Sequence, residues 1–397
     1  MAKSSHFEVA PPTDHSKEAR EAFGLDPGVV FLNHGSFGAV PRPVALAAES
    51  WRQTIESRPI EVIGRRMTEE LARIKACVGE YLTVDPARIG FVTNATSGVG
   101  AVLRSIPWER GDRIVLSNQG YNAVRQAAHA YGERFGCEVV VADLELPIGG
   151  ESSIVERFMS AVDARTRLVI VDHVTSPTAL VLPVAAIARA CRERGVHCLV
   201  DGAHAPGMIP LDIDSVGADW YTGNLHKWVC APKGCAILVP AAHTVAWTHP
   251  ETTSHFHGHG FAAEFDWQGT RDFANVLAIP EAIRFVQREF NGGVMQHNHE
   301  LAVWAHQYLC SRFDVAAVSP VDGSLLGSMA AVLLPGAIAR KFKSAQLFQA
   351  ALYERHRIEV PVIDWGGRWI VRVSAQVYNA AADYRALADA VELEALA

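Results

Sequence analysis

The chain has 397 residues, a length that predicts one large domain and one smaller domain. Hydrophobic residues make up 49% of the sequence and charged residues 20%, which excludes a disordered or collagen-like chain. The 36 Lys and Arg residues against 43 Asp and Glu residues give a net charge of −7. This balance argues against nucleic acid or an anionic membrane surface as the main partner.

Cysteine usage and the N-terminal sequence predict a cytoplasmic protein. The seven cysteines are scattered and lie mostly inside apolar runs, which is typical of buried thiols in a reducing compartment and not of a disulfide framework or a zinc site. The first residues contain no apolar core of a signal peptide. Prolines interrupt the richest apolar stretches, so we expect no membrane-spanning helix.

The first third of the chain predicts an arm, a strand and two helices. Residues 1–28 read as an N-terminal arm that begins with a loose polar stretch, and residues 29–32 as a short strand that runs into a glycine-containing turn. Between Pro43 and Tyr81, apolar residues recur at helical spacing. A break near Arg58 and Pro59 divides this stretch into two helices.

The middle of the chain alternates short apolar strands with helices of 10–15 residues. This alternation is typical of an α/β fold with a mostly parallel central sheet that is flanked by helices and buried on both faces. The predicted strands are residues 91–93, 113–116, 139–141, 168–171, 198–200 and 236–239. One predicted helix begins near residue 96, and three others cover residues 121–134, 152–162 and 184–194.

The pattern changes after residue 275. Helices are predicted around 280–290, 303–309 and 345–356, and alternating strands at 330–334 and 369–373. We therefore predict a large domain over residues 29–275 and a smaller α+β domain over residues 276–397. The first segment of the large domain is expected to contribute to the smaller one.

The densest group of reactive side chains begins at a predicted strand end. Asp201 comes directly after the apolar strand at 198–200, and ligands of open α/β sheets bind beyond the carboxyl ends of strands. Lys227 lies 26 residues later in an apolar setting, which favours a lowered pKa and Schiff-base chemistry. A carboxylate together with a Schiff-base lysine is what a pyridoxal 5'-phosphate (PLP) site needs, because the carboxylate keeps the pyridine nitrogen protonated.

The phosphate of such a cofactor needs a separate binding site. Residues 94–98 (NATSG) lie between a predicted strand and a predicted helix. Free backbone N–H groups at a helix N-terminus bind phosphate, and Thr96 or Ser97 adds a hydroxyl. Any strand-to-helix turn can carry these residues as caps, so the prediction depends on their place upstream of Asp201 and Lys227.

Three motifs resemble the class V aminotransferase family of fold-type I PLP enzymes: residues 201–204 (DGAH), 224–228 (NLHKW) and 269–272 (GTRD). Residues 31–38 (FLNHGSFG), 172–178 (DHVTSPT) and 372–379 (RVSAQVYN) resemble its isopenicillin N epimerase-like branch. The resemblance extends from about residue 29 to 380. It implies a fold-type I PLP-dependent transferase fold.

The resemblance also implies a role for each matching position. Lys227 would bind the cofactor covalently and move the α-proton of the substrate, and Asp201 would hold the pyridine nitrogen. The other residues expected at the cofactor are Ala95, Thr96, Asn224 and His226 at the phosphate, Tyr121 on the ring face, His204 beside the ring, and His173 or Thr175 near the phenolic oxygen.

Substrate binding and assembly follow from the same resemblance. Arg372 would hold the substrate carboxylate, a bidentate task that suits a guanidinium group. Asn33 and His34 are also expected at the substrate, which would be an amino acid or a small molecule containing one. Thr270 would reach the phosphate of the neighbouring subunit, which implies a homodimer with shared active sites.

The histidines of residues 255–259 (HFHGH) suggest a metal site at first sight. Three histidines at alternate positions, with no cysteine or carboxylate beside them, do not have the spacing of a zinc site. We therefore expect no metal here, and interpret the segment as a loop that faces the substrate.

The reaction is harder to predict because enzymes of this fold carry out several reactions. A cysteine desulfurase is disfavoured, since residues 359–367 contain no cysteine to act as its nucleophile. We expect an epimerase or racemase, with Lys227 on one face and Tyr121, His204, His255 or His257 as the second acid-base group. A β-eliminating C–S lyase, an aminotransferase and a regulatory PLP-binding protein without turnover remain as alternatives.

Overall fold

The computed structural model describes residues 9–288 and 293–396. Within these ranges a π-helix (Ile60–Arg66) follows α3 and 3-10 helices cover Pro86–Arg88 and Val245–Trp247. The α-helices are α1 (Ser16–Ala22), α2 (His34–Phe37), α3 (Arg42–Ser57), α4 (Met67–Leu82), α5 (Ala95–Ser105), α6 (Asn122–Phe135), α7 (Glu151–Ser160), α8 (Val184–Arg192), α9 (Ile213–Val216), α10 (Phe261–Asp266), α11 (Ala274–Leu277), α12 (Ile279–Arg288), α13 (Val294–Phe313), α14 (Gly336–Lys341), α15 (Ala345–His356) and α16 (Ala381–Leu396).

The strands form one large and two small sheets. They are β1 (Val30–Phe31), β2 (Gly90–Val92), β3 (Arg113–Ser117), β4 (Glu138–Ala142), β5 (Thr166–Asp172), β6 (His197–Asp201), β7 (Trp220–Asn224), β8 (Ala236–Pro240), β9 (Met329–Leu333), β10 (Ile358–Glu359), β11 (Val362–Trp365) and β12 (Arg368–Ser374).

The central sheet has the strand order β2-β8-β7-β6-β5-β3-β4. Strand β8 is antiparallel to both of its neighbours, β2 and β7, and the remaining pairs are parallel. Strands β5 to β8 are almost entirely buried, because helices cover both faces, and this explains their continuous apolar sequences. The predicted α/β fold with a mostly parallel central sheet is confirmed.

A second apolar core lies behind the three-stranded antiparallel sheet β11-β12-β9. Helices α13, α15 and α16 pack there. Strand β1 pairs in parallel with β10, so the N-terminal segment contributes to this smaller unit. Helix α12 instead packs on α3 and α4 in the core of the larger unit. The larger core also includes residues that follow α12, such as Leu325 and Met329, and the domain boundary expected between residues 275 and 276 stays a prediction.

The predicted elements differ from the structure in a few places. The helix expected over 280–290 is α12, and residues 289–290 lie outside the described residues. The first eight residues of the predicted arm also lie outside them, and α1 forms within the rest of the arm. No helix in residues 9–288 or 293–396 combines the length and apolar character needed to cross a membrane.

The sheet brings polar residues to one edge. Asp172 ends β5, Asp201 ends β6 and Asn224 ends β7, and Asp172 pairs in register with Asp201. Because these strands are parallel, their carboxyl ends meet on the same side of the sheet. Helix α5 begins at Ala95, just after the carboxyl end of β2, so its N-terminus lies at the same edge.

Gly98 allows α5 to pack closely on β7 below this edge. A Cβ atom at Gly98 would overlap the Thr222 side chain. We expect Gly98→Ala to lower the free energy of unfolding by about 1–3 kcal/mol, as overpacking does, in denaturant titrations. Gly24→Ala is the control, since a Cβ atom there would have no neighbour within 4 Å. Equal stability of the Gly98 variant and wild type would contradict this packing.

Candidate active site

A cavity of about 310 Å³ opens at the carboxyl edge of the central sheet. It brings together residues that lie far apart in the sequence, from the start of α5 to the turn after β7. Eight of the residues predicted from the sequence line it: Ala95, Thr96, Tyr121, Asp201, His204, Asn224, His226 and Lys227.

Lys227 points into the buried part of this cavity. Its Nζ lies 3.1 Å from Nε2 of His204. Burial and the positive charge of Arg372 together lower the pKa of Lys227 to about 7, against the opposing effects of Asp201 and Asp172. Burial also lowers the pKa of His204 well below its usual value. An amine with this pKa is substantially uncharged near neutral pH and can act as nucleophile and base.

The lowered pKa of Lys227 predicts a pH-dependent stability of the cofactor-free protein. The folded pKa of about 7 lies below the ordinary 10.5, so the unfolded chain binds more protons between these values. The free energy of unfolding should therefore rise with pH across this window, through the contribution of Lys227. Denaturant titrations of wild type minus those of Lys227→Met isolate this contribution. A difference that is independent of pH would contradict the prediction.

Two buried carboxyl groups lie side by side at the strand ends. Burial raises the pKa of Asp201, and its Oδ1 accepts a hydrogen bond from the Ala203 N–H at 2.9 Å. Burial and the neighbouring Asp201 raise the pKa of Asp172 well above its usual value. Two neighbouring negative charges are unfavourable, so the larger upward shift at Asp172 favours the proton on Asp172 and the negative charge on Asp201.

Asp172 lines the cavity, but the sequence reasoning did not select it. The available signal was its position: it directly follows the apolar run 168–171, as Asp201 follows 198–200. Its Oδ1 accepts a hydrogen bond from the backbone N–H of Tyr121 at 3.3 Å. The side chain of Tyr121 lines the cavity and is 44% exposed, so its aromatic face is available to a planar ligand.

The start of α5 forms the polar end of the cavity. The Asn224 Oδ1 accepts the Ala95 N–H at 2.9 Å, and the Asn94 Oδ1 caps the helix through the Ser97 N–H at 2.9 Å. Thr96 also lines the cavity and can offer its N–H and hydroxyl to a ligand. Free N–H groups at a helix N-terminus favour an anion.

His226 contributes a second group to this end. Its Nδ1 donates to the Cys235 carbonyl oxygen at 3.0 Å, which leaves Nε2 available to the cavity it lines. Burial lowers the pKa of His226 to about 4, and a bound phosphate would favour the protonated ring.

Arg372 supplies a buried positive charge behind the cavity wall. Its Nη1 donates to the carbonyl oxygen of Ser176 at 2.7 Å, and its Nη2 to Oγ of Ser36 at 3.1 Å. Within the described ranges its Nε has no hydrogen-bond partner, and burial lowers the pKa of Arg372 to about 10. Ser36 and Ser176 line the cavity. A cation held in this way is suited to bind a carboxylate that enters the site.

Two residues expected at the cofactor lie outside the cavity. The Nδ1 of His173 is 2.8 Å from the Tyr221 hydroxyl, and Thr175 is fully buried with its Oγ1 2.7 Å from Oγ1 of Thr178. Asp172, Val174 and Ser176 line the cavity instead, because alternate residues of an extended segment point to opposite sides. The role of His173 or Thr175 at the cofactor stays a prediction.

The residues expected at the substrate and at the subunit boundary also differ in placement. The Nδ2 of Asn33 donates to Oε1 of Glu359 at 3.1 Å, and His34 is buried beneath the Lys227 turn. Neither lines the cavity, where Ser36 and Phe37 of the same motif lie. Thr270 is exposed and lies outside the cavity of its own chain.

The histidine-rich loop packs against α10, away from the cavity. Nδ1 of His249 lies 2.8 Å and Nδ1 of His257 3.7 Å from Oε2 of Glu264. These three side chains have the atoms to hold a metal ion, but the hydrogen bonds of Glu264 to His249 and to the Gly258 N–H explain their grouping. The absence of a metal ion stays a prediction.

The cavity fits PLP in its chemistry. Thr96 and His226 can receive the phosphate, Asp201 can pair with the pyridine nitrogen, and Tyr121 offers an aromatic face. Lys227 lies among them as the amine for a covalent link. PLP, when bound, supplies an electron sink for negative charge that develops at the α-carbon of an amino acid. These residues define the site of a fold-type I PLP enzyme.

The chain belongs to the class-V aminotransferase family, whose model matches residues 41–383. Enzymes of this family depend on PLP. This chain is 32% identical to putative L-cysteine desulfhydrase 1 of Oryza sativa subsp. japonica, over 92% of this chain and 83% of that protein. It is also 32% identical to isopenicillin N epimerase of Amycolatopsis lactamdurans, over 94% of this chain and 97% of that one.

A solved structure shows the same fold. It is a C-DES mutant with glycine covalently linked to its PLP cofactor, with a TM-score of 0.74 and 20% identity over 94% of this chain and 98% of that one. The predicted family and the resemblance to isopenicillin N epimerases are confirmed. Similarity to desulfhydrases is equally strong, so the comparisons establish a PLP-dependent enzyme and not one reaction.

Proposed function

We propose that this enzyme removes the α-proton of a small amino acid. The observation that carries the proposal is the position of Lys227, an amine with a pKa of about 7, in one cavity with the Asp201 carboxylate. The buried Arg372 guanidinium, which forms no ion pair within the described residues, would bind the substrate carboxylate. Lys227 would then take the α-proton. His204, whose Nε2 lies 3.1 Å from Nζ of Lys227, would hold the amine through a hydrogen bond.

Among the possible reactions, we propose β-elimination from a cysteine-sized substrate. The cavity of about 310 Å³ is at the small end of ligand pockets and must hold cofactor and substrate together. Elimination needs one base, Lys227, and a leaving group on the β-carbon. The C–S bond would break with loss of sulfide, and hydrolysis of the resulting enamine would give pyruvate and ammonia. The desulfhydrase relatives support this choice.

Epimerisation, which the sequence favoured, is the second candidate. It needs another group to return the proton, and the exposed Tyr121 phenol in the cavity is the observation that supports it. The isopenicillin N epimerase relatives point the same way. His255 and His257 lie outside the cavity of their own chain.

Incubation of the enzyme with L-cysteine, D-cysteine and a panel of other amino acids in deuterated water tests these proposals. Proton NMR follows the α-proton, while sulfide, pyruvate and chirality are measured on the same samples. Release of sulfide and pyruvate in equal amounts supports elimination. Deuterium at the α-carbon with both enantiomers present supports epimerisation instead. Absence of both α-proton exchange and turnover across the panel would contradict the proposed function.

Replacement of Arg372 should act mainly on substrate binding. We expect Arg372→Gln to raise KM about 10- to 100-fold, since a charge-assisted hydrogen bond contributes about 1.5–3 kcal/mol. Steady-state kinetics with the best substrate of the panel measures the change, and the decarboxylated amine serves as the comparison substrate. We expect wild type to prefer the amino acid over its decarboxylated amine and Arg372→Gln to lose this preference. A preference preserved in the variant would show that the carboxylate binds elsewhere.

We also propose a homodimer in the cytoplasm, as expected from the sequence. Thr270, which is exposed and does not line its own cavity, is suited to reach the phosphate end of a neighbouring site. The apolar side chains of Phe37 and Ile60 are 74% and 71% exposed, which is consistent with a covered surface in the assembly.

A further inference from the structure

His34 joins the Lys227 turn to the segment that follows β12. Its side chain is fully buried at the first residue of α2. The Nε2 atom lies 3.1 Å from the carbonyl oxygen of Lys227, and the ring packs on Trp228 with 4.7 Å between centroids. The Nδ1 atom lies 2.8 Å from the Tyr378 hydroxyl oxygen. The imidazole therefore contacts the backbone of the reactive lysine directly.

These partners fix the tautomer of the His34 ring. A carbonyl oxygen can only accept, so Nε2 carries the proton and donates to Lys227. Nδ1 must then accept the hydrogen bond of the Tyr378 hydroxyl. Burial lowers the pKa of His34 to about 3, so the ring is neutral near pH 7 and keeps both hydrogen bonds.

Gln376 lies at the Nε2 edge of the same ring and bonds to the Lys227 turn through Cys230. Its Nε2 is 3.3 Å from Nε2 of His34, where both nitrogens are donors, and it donates to Sγ of Cys230 at 3.9 Å. Its Oε1 accepts a hydrogen bond from Nδ2 of Asn298 on α13 at 2.9 Å. The smaller unit is thereby connected to the Lys227 turn through buried side chains.

The Lys227 turn needs such support because it belongs to neither a helix nor a strand. The Lys227 carbonyl oxygen also accepts the Cys230 N–H at 3.1 Å, and Cys230 has a φ of +60°, which is uncommon for a residue other than glycine. A Cβ atom at Gly38 would overlap the carbonyl oxygen of His226. The segment from His34 to Gly38 therefore lies directly against the turn.

We propose that His34 is a positioning residue, which anchors the Lys227 peptide and thereby fixes where Nζ lies relative to His204 and Asp201. This positioning role is proposed in place of the substrate contact that the sequence suggested for His34. The inference rests on the proposed function, in which Lys227 holds the cofactor and moves the α-proton. A displacement of about 1 Å in such a group can lower a rate by about 10²-fold.

Three variants separate positioning from packing. His34→Leu removes both hydrogen bonds, whereas His34→Gln keeps an amide N–H that can reach the Lys227 carbonyl oxygen. His306→Leu is the matched control: His306 is also fully buried, lies in the smaller core on α13, and has no hydrogen-bond partner for either ring nitrogen among the described residues. It replaces a buried histidine without touching the turn.

The first measurement uses the PLP-loaded protein without substrate. The visible absorbance of the cofactor linked to Lys227 is titrated with pH, and kcat and KM are then determined. We expect His34→Leu to shift the titration midpoint by about one unit, since the environment of the link changes. We expect kcat to fall about 10- to 100-fold with KM little changed. His34→Gln should recover most of both properties, and His306→Leu should match wild type.

An unchanged midpoint and kcat in His34→Leu would overturn the positioning role, and so would a failure of His34→Gln to recover either property. If His34→Leu does not fold, Tyr378→Phe decides, because it removes the hydrogen bond to Nδ1 and keeps the aromatic contact with Phe23. A shifted midpoint in that variant supports the inference, and an unchanged one overturns it. A wild-type protein without a linked cofactor would instead contradict the proposed function.

Discussion

Replacing Lys227 by alanine is expected to lower kcat by about 10²–10⁴-fold or more, the range that a positioned acid-base group contributes. The same change should remove the covalent link to the cofactor and its absorbance band, because among the described residues Lys227 is the one lysine that lines the cavity. Steady-state kinetics and visible spectra of the purified variant check both effects.

Lys233→Met is the matched control for this prediction. Lys233 is a lysine of the same segment whose side chain keeps access to solvent, and partial desolvation lowers the pKa of Lys233 as well. Its Nζ donates to the Gly38 carbonyl oxygen at 2.9 Å and does not line the cavity. The control should keep the absorbance band. A band that survives in Lys227→Ala but is lost in Lys233→Met would reassign the cofactor lysine.

Asp201→Asn should have the second-largest effect, with kcat lowered about 10²–10³-fold, as for loss of one preorganised electrostatic group in a buried site. Asparagine has nearly the same shape and still accepts the Ala203 N–H, but it carries no negative charge to hold a protonated pyridine nitrogen. The fold should therefore be kept while the electron sink is weakened. Kinetics together with a thermal unfolding curve separate these two effects.

Asp172→Asn provides the comparison for Asp201→Asn. Burial and the charge of Asp201 raise the pKa of Asp172 well above its usual value, which favours the uncharged form of its side chain. Its asparagine variant should lose less than about 10-fold in kcat, because no charge is removed. If Asp172→Asn is the more damaging of the two, the negative charge lies on Asp172 and the assignment of the two carboxyl groups must be reversed.

The central sheet could be predicted because its strands are buried on both faces. Continuous apolar runs such as 168–171 and 198–200 are readily recognised as buried strands when amphipathic helices flank them. Strand β7 was missed, since Trp220–Asn224 ends in threonine, glycine and asparagine and so lacks an apolar pattern. Its position in the sheet depends on pairing with β6 and β8, which are contacts between distant parts of the chain.

The active site was predictable where a motif was recognised, as at Lys227, and most directly at Asp201, where the motif also follows a predicted strand. The sequence did not predict which side of an extended segment a residue faces where apolar and polar residues do not alternate clearly. His173 and Thr175 were therefore expected in the cavity, whereas Asp172 and Ser176 line it. His34 has the same explanation: its motif was recognised, but the burial of its ring against Tyr378 depends on a segment more than 300 residues away.

Borohydride reduction of the PLP-loaded protein, followed by peptide mass spectrometry, tests the central claim most directly. Reduction makes the bond between the cofactor and its lysine permanent, so the modified residue can be located without knowledge of the substrate. The account predicts a phosphopyridoxyl group on Lys227, in an amount equal to the bound cofactor. Modification of Lys233 or another lysine instead, or no modification at all, would contradict the proposed active site.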